Sequence, residues 1–537
     1  METIKELPSA WKNETLHDVP IVLRDDGFTQ FYWVDRMDKL ILEKRCINYL
    51  SDTNVKIKEW GLGPGSVFTF DTKVGEVFGS KLSEKQLAIL GEGDRRVFRN
   101  VKALISNGDD PLAVVVNKGH EIGLKVWARF EMNHEYGPAD DRNWMWVGLV
   151  GEFNKKHPEY RIPNSVNMDY SIKEVRDFKL AIIKEVLQKG VDGISMDFAV
   201  YPPFLKDPVK DYRIMTDFIA HVKEMTEEID KKENRKVNII VRVPDNYHAI
   251  GLDWRTWIQK GLIDIIVPTV VHLQDQFDVS VDEFVQEAKG TGCKVFGCVR
   301  PYLGYYDCDP KPQDEKSGVI RYDREMTHEM FFTKAFLLLR AGVDGIQIAT
   351  GSGDLTSEES NWKQKADAWK PLYNDLGNPN VLMYKDKNYL VNRKDHLPLT
   401  LSSRNRTGNF VVRIADHIQE LLKENRKIHM KMIFFCSGLE KNEKLNLFIN
   451  KNGPLVLTHV DFIEKDDPIE TTAEYISKYG EQIFFEKDWW KKGMREVVVP
   501  VEWFSLGINE ISVNYECSSD EANKFRITDI DIKLFFG

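Results

Sequence analysis

No stretch of this sequence approaches the ~20 consecutive apolar residues that a membrane-spanning helix needs, so no membrane segment is expected. Met1 to Pro20 is polar and lacks the apolar core of a secretory signal. The chain therefore reads as cytoplasmic, or as periplasmic or secreted if an export signal has been trimmed from it. Cysteine is sparse: six residues, scattered from Cys46 to Cys517, show no disulfide framework. Cys293 and Cys298 stand at the wrong spacing for a zinc or redox Cys-x-x-Cys pair. Positive charge is not in excess. Against 84 acidic residues there are 74 Lys and Arg, leaving a net charge of −10, which argues against a nucleic-acid coat or a polybasic anchor. Low-complexity tracts are absent. Gly61-Leu62-Gly63-Pro64-Gly65 lacks the Lys-Ser/Thr of a phosphate-binding loop and reads as an ordinary loop. No motif specifies a metal, and no cofactor is expected.

The composition is that of a globular chain, 42% hydrophobic and 29% charged, and 537 residues imply two or three domains. Strand-like and helix-like segments alternate from about residue 19 to 375. The strands fall near 19–23, 55–60, 124–130, 191–198, 237–244, 262–269, 294–299 and 343–350, most preceded by a helix. Such alternation predicts a parallel sheet, and eight units favour the closed (β/α)₈ TIM barrel. Gly190-Val191-Asp192-Gly193-Ile194 recurs as Gly342-Val343-Asp344-Gly345-Ile346 in the fourth and eighth strands, which suggests one helix-to-strand corner used half a barrel apart. Beyond residue 395, period-two runs at 410–414, 431–435, 445–449, 497–501, 510–515 and 528–535 predict an all-β sandwich of jelly-roll type. The expected organisation is an N-terminal extension 1–18, a catalytic barrel 19–375, a connector 376–396 and an accessory β-sandwich 397–537.

Side-chain parity singles out candidates. In Gly193-Ile194-Ser195-Met196-Asp197-Phe198 the apolar set alternates with a small or polar set, and the two point to opposite faces. Apolar side chains belong against the outer helices, so Asp197 should close the inner row at the carboxyl end, where barrel enzymes keep their chemistry. The alternative is a buried, hydrogen-bonded aspartate that only ties loops together. Asp192 opens the strand and should serve stability at the bottom. The same parity turns Trp127, Arg129 and Glu131 inward on the third strand and Arg242 inward on the fifth, with Asp245 just beyond it. On the second strand it turns Val55 and Ile57 outward and leaves Lys58 and Trp60 inside. Asp25 and Asp26 end the first strand and Arg300 the seventh. Loop aromatics, including Trp144, Trp146, Tyr201, Tyr247 and Tyr302, suit the apolar faces of sugar rings. His134 and His272 are further mouth candidates.

Phe68-Thr69-Phe70-Asp71-Thr72-Lys73-Val74-Gly75-Glu76, Ala128-Arg129-Phe130-Glu131-Met132-Asn133, Val191 to Phe198 and Val241-Arg242-Val243-Pro244-Asp245 resemble the family-10-like glycosyl hydrolase proteins. These are bacterial barrel proteins, frequent in polysaccharide degraders, often with a C-terminal β-sandwich. The resemblance spans most of the chain and implies carbohydrate processing without supplying a substrate. The fourth strand also resembles the chitinase-type Asp-Gly-x-Asp-x-Asp-x-Glu signature. There, however, Ser195 replaces an aspartate and Ala199 stands where the proton-donating glutamate belongs.

The expected chemistry is glycoside hydrolysis by a carboxylate pair on a bacterial, plant or algal polysaccharide or oligosaccharide, acidic and sulfated ones among the candidates. Asp197 is the first carboxylate, and Asp245 and Glu131 are rivals for the acid. Asp25, Asp26, Lys58, Trp60, Arg129, Asn133, His134, Arg242, His272, Arg300 and Tyr302 form the expected substrate-binding set. Two other classes stay open: a barrel that binds glycans without cleaving them, and a uronate-directed lyase or isomerase. The partner is a carbohydrate in each case, and the oligomeric state is left open.

Overall fold

The computed structural model describes residues 11, 16–136, 147–271, 276–307, 318–349, 359–391, 397, 399–437, 439–458, 463–465, 472–477, 482–484, 493–517 and 525–537. Eight parallel strands close into a barrel: β1 (Ile21–Asp25), β2 (Val55–Gly61), β3 (Lys125–Glu131), β4 (Gly193–Asp197), β5 (Asn238–Pro244), β6 (Ile265–Thr269), β7 (Lys294–Val299) and β8 (Gly345–Ala349), with β8 beside β1. Each strand pairs with its neighbour in sequence order.

Two apolar layers sort the side chains. Val22, Ile57, Trp127, Ile240, Ile265, Val267, Phe296, Cys298 and Ala349 fill the barrel interior. Ile194, Met196, Phe198, Ile239, Val241, Val243, Ile346 and Ile348 belong to the larger core against the helices. The repeated glycine has a packing reason. A Cβ on Gly193 would lie 2.5 Å from Trp127 Cδ1, and one on Gly345 would lie 2.6 Å from the Phe296 ring. Two bulky rings, their centroids 6.1 Å apart, fill the lower barrel because two strands begin without a side chain there. The repeated aspartate locks the bottom. Asp192 accepts a bond from the Val126 amide at 2.8 Å and Asp344 one from the Val295 amide at 2.9 Å. Asp264 does the same for the Ile239 amide at 2.9 Å.

The C-terminal region forms antiparallel sheets. In one, Lys387–Leu390, Phe525–Phe536, Ile428–Ser437, Gly493–Val499 and Ile463–Lys465 run in that spatial order, and Leu399–Leu401 also pairs with Phe525–Phe536. In another, Thr407–Ile414, Gly507–Glu516, Lys444–Ile449 and Asn452–Thr458 follow one another. Gly507–Glu516 buries every second residue, the mark of a strand with one face on a core. The first strand of the sandwich, Lys387–Leu390, lies inside the stretch expected as a connector.

A third sheet joins the two regions: the hairpin Tyr302–Asp307/Gly318–Glu325, which follows β7, pairs with Thr472–Ser477 and then Gln482–Phe484. Arg324 of that hairpin makes a bidentate pair with Asp531, at 2.8 and 2.6 Å. The helix His328–Ala341 is buried along its whole length from Met330 onward, as expected of a helix packed on more than one side. Its Thr333 hydroxyl accepts the Asn388 amide at 2.8 Å, and Arg340 donates to the Ala415 carbonyl at 3.1 Å. None of the described helices is long and apolar enough to cross a membrane.

Candidate active site

At the carboxyl end of the strands the inner row changes from apolar to charged. Arg24 from β1, Glu59 from β2, Arg129 and Glu131 from β3, Asp197 from β4, Arg242 from β5 and Gln347 from β8 converge there. Asp197 is fully buried. Its Oδ2 accepts from Arg24 Nη2 at 2.9 Å and from Arg242 Nη1 at 2.5 Å, and Arg129 Nη1 stands 3.6 Å away. Its Oδ1 accepts the Ala199 amide at 3.1 Å. Burial alone would raise the Asp197 carboxyl, but Arg242, Arg24 and Arg129 outweigh it and hold the group below its ordinary value. Glu59 is also fully buried; Gln347 donates to its Oε2 at 3.0 Å, and Arg24 Nε lies 3.8 Å from the same oxygen. Three guanidiniums thus face three carboxylates. Arg129 and Arg242, two of the arginines in the expected substrate-binding set, are already matched by carboxylates within the protein.

Glu131 is register partner to Asp197 across β3 and β4 but reaches the surface, its side chain 16% exposed. Arg129 Nη1 donates to Oε1 at 2.5 Å, and His134 Nδ1 meets Oε2. Burial would raise this carboxyl too. The charges and hydrogen bonds of Arg129 and His134 instead hold it well below the ordinary range. The His134 ring packs at a tilt against Tyr201, centroids 4.5 Å apart, and against Tyr136, at 4.8 Å. Its Nε2 is buried without a hydrogen-bond partner among the described residues. Tyr201 is 40% exposed and sits at φ 48°, a left-handed conformation that a bulky residue adopts only when its surroundings impose it. Asn167 provides part of that constraint by donating to the Tyr201 carbonyl at 2.7 Å.

Several expected residues stand elsewhere. Lys58 and Trp60 point away from the barrel interior. Lys58 Nζ pairs with Asp25 at 2.9 Å on the helix side, and the Trp60 ring packs edge-on against Phe31 at 6.4 Å. The cause is a register shift: Ile21 pairs with Val55 but Val22 with Ile57, so the bulge skips Lys56. An extra residue inverts the faces of all that follow. Ile57 and Glu59 therefore point in, and simple alternation hides Glu59. Asp25 lies in the outer layer with Lys58 and Gln30, and Asp26 accepts from Phe28 and Thr29 at the start of the short helix Thr29–Tyr32. Neither faces the mouth.

Asn133 is buried and acts as a staple, donating to the Met168 and Pro203 carbonyls and accepting the Met168 amide. Asp245 is exposed in the turn after β5 and does not line the cavity of about 370 Å³ that Tyr212, Tyr247, His248, Trp254 and Arg255 border nearby in sequence. Arg300 is half-buried at the end of β7. His272, Trp144, Trp146 and the Tyr302 side chain lie outside the described residues. Arg24 and Gln347 went unmarked in the sequence. Arg24 follows an apolar run and reads as its end, although parity from Val22 places it inward. Among the described residues no group of three or more His, Cys, Asp or Glu could hold a metal.

No protein-family model matches the sequence, and no curated protein matches it. Solved structures do. A chitinase from Paenibacillus is 10% identical, with a TM-score of 0.40 over 89% of this chain and 56% of its own. A GH27 β-L-arabinopyranosidase from Geobacillus stearothermophilus is 11% identical, with a TM-score of 0.36 over 95% of this chain and 98% of its own. A noncanonic maltogenic α-amylase from Thermotoga neapolitana is 12% identical, with a TM-score of 0.36 over 90% of this chain and 99% of its own. This chain spans 57% of a Paenibacillus cycloisomaltooligosaccharide glucanotransferase that it also matches.

Proposed function

We propose that this chain is a glycoside hydrolase in which Glu131, and not Asp197, is the carboxylate that meets the sugar. The observation that carries this reading is the contrast in access between two carboxylates that share Arg129. Asp197 has no exposed surface and is enclosed by guanidiniums, whereas Glu131 is ionised, reaches the mouth and is oriented by His134. A glycosidase needs one ionised carboxylate, as nucleophile or as base on water, and a second carboxyl that protonates the leaving oxygen. Glu131 fits the first role. Asp197 acts through Arg129 as a positioning residue. The exposed Tyr201 ring beside His134 supplies an apolar platform for a pyranose face.

Because Arg24, Arg129 and Arg242 are matched by Glu59, Glu131 and Asp197, they support a neutral glycan better than a uronate or sulfate. The resemblance to family-10-like proteins agrees with carbohydrate processing and adds no substrate.

The test is a product screen of wild type and Glu131→Gln against neutral, uronate-containing and sulfated oligosaccharides, read by mass spectrometry. Products that gain water and disappear in the variant support the proposal. Unsaturated products without added water would overturn it in favour of a lyase. Binding without any product would overturn it in favour of a glycan-binding barrel.

A further inference from the structure

The cavity of about 370 Å³ at the carboxyl end of the barrel takes no part in the site around Glu131. Its size falls within the roughly 300–1,000 Å³ of pockets that hold small ligands. Two segments build it: the loop 245–253 that follows β5, and the start of the helix Pro208–Glu233, into which the loop after β4 leads. The loop is a succession of tight turns. The Tyr247 amide donates to the Pro244 carbonyl at 3.2 Å, Ala249 to Asn246 at 2.9 Å and Leu252 back to Tyr247 at 3.1 Å. Gly251 sits at φ 75°, and a Cβ there would fall 2.8 Å from the Pro208 carbonyl oxygen. Only glycine lets the loop close so tightly on the helix start. A pocket held in this way loses little conformational freedom when a ligand enters.

The walls combine rings with matched charges. The Arg255 guanidinium lies 4.3 Å from the Trp254 ring centroid and 5.8 Å from that of Tyr247. Its Nη2 donates to Glu283 at 2.7 Å and its Nη1 to the Tyr247 hydroxyl at 3.4 Å. A guanidinium carries further N–H groups beyond these two bonds, and this side chain is 39% exposed. Asp253 accepts the Thr256 amide at 3.2 Å and the Thr256 hydroxyl at 2.7 Å, and a carboxylate has lone pairs to spare after two such bonds. The exposed His248 ring packs on Tyr247, centroids 4.4 Å apart, and Tyr212 is half-buried. These features select a ligand. An anion would find Arg255 already matched by Glu283 and would meet Asp253. A purely apolar molecule would bury Arg255 and Asp253 without partners, which is costly. A neutral sugar suits both: its ring has an apolar face, and its hydroxyls donate and accept.

We propose that this pocket is a second glycan-binding site, apart from Glu131, which holds a short neutral segment of the same polysaccharide; the choice of a glycan rests on the carbohydrate reading above. Pro208 follows Tyr201 on one loop, and the seven residues between them limit their separation to about 25 Å. A hexasaccharide spans that distance. One chain that engages the pocket and the Tyr201 platform together gains affinity through its high effective concentration at the second site. The pocket thereby favours long substrates over short ones.

The experiment follows binding, so that it does not depend on turnover. Glu131→Gln, which should not consume the ligand, is mixed with maltohexaose, cellohexaose, xylohexaose, mannohexaose and, as the anionic probe, hexagalacturonate. Hydrogen exchange read by mass spectrometry locates each ligand, and calorimetry gives its affinity. At least one neutral hexasaccharide is expected to protect 205–212 and 245–256. His248→Ala and Arg255→Met, each added to Glu131→Gln, should weaken that hexasaccharide by roughly tenfold and remove the protection of 245–256 while keeping that of 131–136. The His248 ring is exposed and makes no hydrogen bond among the described residues, and methionine keeps a chain over Trp254, so both variants should unfold at the wild-type temperature. Protection confined to 131–136, or affinities unchanged in both variants, would overturn the second site and leave the role of Glu131 standing. Protection of 245–256 by hexagalacturonate alone would overturn the neutral class. Protection of 245–256 by a neutral hexasaccharide, in a protein whose wild type hydrolyses nothing in the product screen, would sustain the pocket and overturn the glycosidase reading.

Discussion

Asp197 and Glu131 sit side by side in register and share one arginine, yet the barrel uses them differently. Asp197 is fully buried and receives guanidiniums from β1, β3 and β5. It ties three strands that are not all neighbours into one charged plug. Glu131 stands at the end of its strand, with one arginine beneath it and an imidazole beside it. The difference teaches that the partners brought in by other strands, rather than residue type or place along the strand, separate the plug from the candidate chemistry. Asp192, just before the strand that ends at Asp197, makes a third case: it accepts from a backbone amide and from His120 and locks the bottom corner.

The contrast can be broken or sharpened by substitution. The largest effect is expected in activity, from Glu131→Gln. Loss of an ionised catalytic carboxylate should lower kcat by roughly 10²–10⁴-fold, with KM changed far less, in steady-state assays on whichever glycoside the screen identifies. Full activity in this variant would return the catalytic role to the buried row.

Next comes Asp197→Asn, expected to cost about 3–5 kcal/mol of stability, the usual consequence of leaving buried charges unmatched. Urea unfolding at neutral pH measures it. A variant as stable as wild type but inactive would restore Asp197 as a catalytic group.

Acid should act in the same direction. Asp197 and Glu131 are both held below their ordinary values in the folded state. The stability they confer is complete above the unfolded carboxylate value of roughly 4. It is lost as the pH falls from there toward the lowered native values. Unfolding midpoints followed from pH 7 to pH 3 should drop steeply below pH ~4 in wild type and less steeply in Asp197→Asn.

A smaller loss, about 1–3 kcal/mol, is expected from Gly193→Ala. The new methyl must displace Trp127 or Ile240, at 2.5 and 2.8 Å, in a packed interior. Thermal unfolding reads it, and activity per folded molecule should hardly change. The smallest is Asp192→Asn, about 1 kcal/mol for a weakened bond to the Val126 amide, with kinetics untouched.

Much of this architecture was legible in the chain. Strand–helix alternation, the glycine–aspartate echo and period-two patterning beyond residue 395 each follow from local rules of burial, and the observed elements obey them. The inward rows of β3, β4 and β5 were legible for the same reason: each strand carries an unbroken alternation with one apolar face. The reading failed on β2, where a bulge at Lys56 reversed the phase. Nothing in Val55-Lys56-Ile57 announces that bulge, because both phases place an apolar residue at position 57.

The sequence by itself determined a parallel barrel followed by β-sheets, because hydrophobic periodicity is a property of consecutive residues. It also marked Asp197 and Glu131 as inward carboxylates. Only the tertiary structure decided which of them stays accessible, since access depends on three arginines brought in from distant strands. Only it seated the helix Glu92–Ser106 on the segment after β1, through Asn100 and the side chain that Gly93 lacks. Burial and charge matching are sums over neighbours in space, and the order of residues along the chain does not contain them.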